Sequence, residues 1–160
     1  MSRTNLVSTV VLIGAVLACP AWSIAAIIYV DKSATGGSNS GADWQNAYLD
    51  LQDAIDVAAH NDQIWLAQGT YTPSELLPPG TDPRTATFTL PELVTLYGGF
   101  LGGEATLAER AGLFDQTILS GDLDGDDVPA NFPGDPNRAE NCYHVVTTSG
   151  VTSTAAVLDG

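Results

Sequence analysis

The chain has 160 residues, 44% of them hydrophobic, with 19 acids against five bases, a net charge of −14 and only two cysteines. That acid excess repels nucleic-acid phosphates and anionic membrane surfaces, which argues against both as partners. Two cysteines exclude a disulfide scaffold, and the length allows one domain with a modest core.

Arg3 is the only charge before Asp31. An apolar run from Leu6 to Cys19 follows, then Pro20 and the small-residue stretch Ala21-Trp22-Ser23-Ile24-Ala25. A positive start, a short apolar stretch and small residues beyond a helix breaker are the parts of a secretory signal. The run is shorter than the roughly 20 apolar residues that span a bilayer. The pattern predicts a signal peptide over 1–25, cut after Ser23 or Ala25, and a secreted or cell-surface protein; an uncleaved anchor is the alternative. Val16-Leu17-Ala18-Cys19 also loosely resembles a bacterial lipobox, which would lipidate Cys19 and tether the chain. Pro20 and Leu17 depart from that pattern, and the plain alternative is a cysteine in the apolar part of the signal. Cleavage leaves 19 acids against four bases, a net charge of −15, with Cys142 as the only cysteine and no intrachain disulfide.

Ile27-Ile28-Tyr29-Val30 is β-branched and predicts the first strand, followed by a Gly- and Ser-rich loop over 31–41. Trp44, Tyr48, Leu51, Ile55 and Ala58 recur at helical spacing and predict one amphipathic helix, capped by Asp43 or Asn46 and ended by Asn61-Asp62. Its far side carries Asp50, Asp53 and Asp56. Gln63 to Ala67 alternates as a strand, and Gly69-Thr70-Tyr71 reads as a turn. Residues 73–83 are too rich in proline for a central strand. Thr85 to Leu90 and Leu93 to Tyr97 are strand candidates, the second stopped by Gly98-Gly99. A partly helical loop covers 102–114, and Thr117 to Ser120 is a short strand. Residues 123–141 are loop, and Tyr143 to Thr147 and Ala155 to Leu158 are the last strands. Short strands at uneven spacing suggest stacked coils more than a sandwich. The pattern reaches Gly160 in mid-repeat with no capping element, which predicts the N-terminal part of a longer protein or a truncated gene product.

Four segments, in order, resemble the opening of secreted bacterial right-handed parallel β-helix surface proteins of the pectate-lyase-like superfold. They are IYVDKSATGGSNSGADWQNAYLDLQDAIDVA, DQIWLAQGTYTP, VTLYGGFLGGEATLAERAGLFDQTILSGDLDGDD and YHVVTTSGVTSTAAVLDG. The resemblance covers nearly all of the mature chain. It implies an all-β fold, a right-handed parallel β-helix over 26–160 represented by its first coils, with a capping α-helix at its N-terminal end. A solenoid end left open would expose apolar side chains and an unpaired edge, so a helix with one apolar stripe suits that place.

Asp122, Asp124 and Asp126 alternate within Ser120-Gly121-Asp122-Leu123-Asp124-Gly125-Asp126-Asp127, as in the first half of a calcium loop. The helix-loop-helix signature fails, with Asp127 at the sixth position and Pro133 at the twelfth. Asp122, Asp124, Asp126 and Asp127 are therefore candidate Ca2+ ligands in a partial site completed from elsewhere; the alternative is an acidic, glycine-containing turn. The resemblance to pectate lyases raises Arg84, Arg110 and Arg138 as bases by type. None sits in a strand beside clustered acids, and each reads more readily as a surface or loop-bracing arginine. His60, placed at the helix end, and His144, placed in a strand, are isolated. Trp44 and Trp65 fit core roles better than sugar stacking. The sequence shows no HExxH, CxxC, GxSxG or phosphate loop. These features predict a non-catalytic surface module, structural or adhesive, associating with polysaccharide or cell-surface components. The alternative is the N-terminal fragment of a polysaccharide lyase or glycoside hydrolase.

Overall fold

The computed structural model describes residues 24–78, 80–112, 114–149 and 156–160. The predicted signal apart from its last two residues, Cys19 among them, lies outside the described residues. What is described is largely β, with one α-helix and parallel sheets.

Strand β1 (Ile27–Val30) leads through a long loop to helix α1 (Leu51–Val57). The strands β2 (Gln63–Ala67), β3 (Gly69–Tyr71) and β4 (Phe88–Leu90) then follow. They are succeeded by β5 (Thr95–Phe100), β6 (Thr117–Leu119) and β7 (Val146–Thr148), and finally β8 (Val157–Asp159). One sheet has the order β1-β2-β5-β8, a second pairs β3 with β6, and a third pairs β4 with β7. Every one of these pairings is parallel.

Register sets like against like. Ile28, Ile64, Leu96 and Leu158 are successive partners across the largest sheet, and the first three are buried. Val30 stands beside Leu66, Tyr71 beside Leu119, and Phe88 beside Val146. Such columns place apolar side chains over one another in the interior, where each fully buried Leu, Ile or Phe stabilises the fold by about 1.5–3 kcal/mol. Val30, Leu51, Ile55, Ile64, Leu66, Phe88, Leu90 and Val94 belong to one core cluster.

The helix is shorter than its periodicity predicts. Asp50 caps it, accepting the Gln52 N–H at 2.9 Å, so the Trp44–Tyr48 half of the predicted stripe is not helical. The Asp43 side chain instead closes a turn on Asn46, and Tyr48 joins β1, donating to Tyr29 O and accepting from Asp31 N–H. Seven residues are too few to hold a helix in water, so α1 depends on packing Leu51, Ala54 and Ile55 against the strands.

Two glycine signals also read differently in the structure. Gly69–Tyr71 is a strand, since its backbone pairs with Thr117–Leu119. Gly98-Gly99 does not end β5, which continues to Phe100. A Cβ at Gly98 would come within 3.2 Å of Thr117 Cγ2, so glycine there permits the close approach of the neighbouring segment. Val146–Thr148 starts later than predicted, leaving Tyr143 and His144 outside any strand. Residues 63–67 do not alternate either. The Trp65 ring meets Tyr29 and Phe100, each of which also meets Trp44, with Trp65 and Phe100 stacked at 4.7 Å.

Candidate cation site

The loop from β6 to β7 leaves and returns through one narrow neck. Cys142 N–H donates to Gly121 O at 2.9 Å, and Tyr143 N–H donates to Arg84 O at 2.8 Å. Arg84 Nε donates in turn to Asn141 O, and its guanidinium lies 4.4 Å from the centre of the Tyr143 ring. Gly121 makes the neck possible, because a Cβ there would press on Cys142 Sγ and Val145 Cγ2, each at 3.1 Å. Cys142 is a free thiol whose pKa is pushed up by burial.

Beyond the neck, Asp122 organises the acidic turn. Its Oδ1 accepts from the Gly125 and Asp126 N–H groups at 2.7 and 3.1 Å, and its Oδ2 from Asp127 N–H at 3.0 Å. Gly125 has φ +71°, the left-handed conformation that glycine adopts without strain. Further along, the buried Asp135 accepts from Val128 and Asn137 N–H, and Asn137 Nδ2 returns to Asp126 O. Asp135 thus folds the outer part of the loop back on the inner part.

This wrapping gathers Asp122, Asp126 and Asp127 so that one carboxylate oxygen from each lies within 4.8 Å of the others. Asp124, the fourth candidate from the sequence, is exposed and stands outside that group. Two residues from the returning arm each touch one member without joining the group. Asn141 Nδ2 donates to Asp127 Oδ2 at 2.9 Å, and the Glu140 carboxyl lies within hydrogen-bonding reach of Asp122. Arg138 approaches Asp127 Oδ2 at 3.4 Å from the surface. Sequence spacing gave no hint of Glu140 and Asn141, since they reach the acidic turn only through the neck.

The electrostatics are uneven. Desolvation works to raise the Asp122 pKa, but the N–H groups of Asp127, Asp126 and Gly125, with Glu140, outweigh it and hold the carboxyl below its usual value. Asp126 is pushed up, by desolvation first and then by the charges of Asp122, Asp124, Asp127 and Asp135. Three oxygens remain without a hydrogen-bond donor and with less than 1 Å² exposed: Asp127 Oδ1, Glu140 Oε1 and Asn141 Oδ1. Such an arrangement can accept a proton or a hard cation.

The other candidate residues go elsewhere. Arg110 bridges to Asp159 and to Gly98 O, and lies over the Tyr97 and Phe114 rings. His60 and His144 are exposed and far apart in the chain, and His60 follows the helix end rather than forming it. Trp65 is buried, and Trp44 donates its indole N–H to Glu104 O. Between α1 and the segment around Leu76, Gln52 Nε2 bridges the Asp56 and Glu75 carboxylates at 2.9 and 2.7 Å. Among the described residues no helix is long and apolar enough to cross a membrane. No protein-family model, no curated protein and no solved structure matches the chain.

Proposed function

We propose that the chain is the capped start of an exported right-handed parallel β-helix, serving outside the cytoplasm as a non-catalytic structural or adhesive module that meets polysaccharide or cell-surface components. The observation that carries this reading is the order of the strands. β2, β3 and β4 are followed by β5, β6 and β7, each parallel to its counterpart in the earlier set, and β8 then pairs with β5. A chain that revisits three sheets in the same order is winding, and parallel crossovers are right-handed in nearly all proteins. Helix α1 packs on β1, β2 and β4 and so supplies cover at the end where the winding begins. The signal-like leader and the acidic surface support export.

One observation favours a polysaccharide lyase as the second reading: Arg138 stands beside carboxylates that suit Ca2+. The Arg138 guanidinium is engaged in an ion pair with Asp127 at the surface, so the non-catalytic reading is preferred. The test has two parts. Expressed in a bacterial host, the protein should leave the cytoplasm with a mature N-terminus at Ile24 or Ala26 by intact mass. Incubated with polygalacturonate and Ca2+, it should form no unsaturated product absorbing in the ultraviolet. An unprocessed cytoplasmic chain overturns the export reading, and the unsaturated product overturns the non-catalytic one.

A further inference from the structure

We draw no further inference here: the strongest candidate, the cleft between α1 and residues 75–78 where the buried Gln52 holds the exposed Asp56 and Glu75 carboxylates, carries nothing, because the unpartnered Gln52 Oε1 is closed off from the cleft and what remains is an acidic pair with no observation that points to a ligand.

Discussion

The two long acidic loops of this chain, residues 31–50 and 120–145, begin alike and end differently. Each leaves a strand and is rich in aspartate and glycine. In the first, every aspartate carboxylate has a nearby donor. Asp31 Oδ1 takes the Ser33 N–H and hydroxyl at 2.8 and 2.7 Å, Asp43 Oδ1 takes the Asn46 N–H and side-chain amide, and Asp50 caps α1. The loop is then anchored by Trp44, whose ring meets Tyr29 and Phe100. In the second, buried oxygens of Asp127, Glu140 and Asn141 are left without a donor, and the large side chains Phe132 and Tyr143 stand mostly in solvent. Counting aspartates does not separate these loops. Counting the acceptors left over does, because only a surplus of buried acceptors asks for something the chain does not supply.

If the first loop is held by its aromatic anchor, Trp44→Ala should give the largest loss. It removes a half-buried ring from the Tyr29, Trp65 and Phe100 cluster and breaks the bond to Glu104 O. A cost of about 2–3 kcal/mol is expected, below the range for a fully buried tryptophan. Urea unfolding in chelator and in Ca2+ should return the same loss. A loss present only in Ca2+ would mean that the two loops are not independent.

The same contrast explains what the sequence disclosed. The strands of the core were legible because β-branched and aromatic residues at Ile27–Val30 and Gln63–Ala67 have few other uses. The helix was legible only where Leu51 and Ile55 face the interior. At Trp44 and Tyr48 the same spacing served a turn and a strand partner, and no local signal separates those outcomes from a helix. Gly98-Gly99 read as a stop because a sequence does not show that Thr117 will lie against it. Asp122, Asp126 and Asp127 could be singled out from spacing, with Asp124 indistinguishable from them. Glu140 and Asn141 could not, since their place depends on the Gly121–Cys142 neck, a contact across the full length of a loop.

A second and smaller effect concerns Tyr71, which ties the first loop to β3. Its hydroxyl donates to Ala67 O at 3.1 Å and accepts from Lys32 N–H at 3.4 Å. Burial pushes its pKa up to about 12, the Lys32 N–H works the other way, and the charge of Asp31 adds to the rise. The folded protein therefore holds this proton more tightly than the unfolded one. Its contribution is complete below pH 10 and is lost as the pH climbs from 10 to about 12. A shift of that size is worth at most about 2.7 kcal/mol. The ring borders a solvent-open pocket with Lys32 and Asp50, which brings the expected loss to about 1–2 kcal/mol. Urea midpoints followed across this window should fall in the native protein and show a shallower slope in Tyr71→Phe. Equal slopes would remove Tyr71 as the cause.

The smallest effect gives the sharpest contrast, because its sign should differ between the loops. Asp43→Ala takes away the acceptor that closes the Asn46 turn and should cost about 1 kcal/mol, with or without Ca2+. Asp126→Asn removes one charge from a group in which Asp122, Asp124, Asp127 and Asp135 all repel it. In chelator that change should leave the melting temperature unchanged or raise it, since no donor loses a side-chain acceptor. In Ca2+ the same variant should melt below the native protein, because a candidate ligand has been weakened. If Asp126→Asn lowers the melting temperature equally in both conditions, its carboxylate braces the loop as Asp43 does. The two loops would then be held in the same way, and the surplus of acceptors would have no bearing on cation binding.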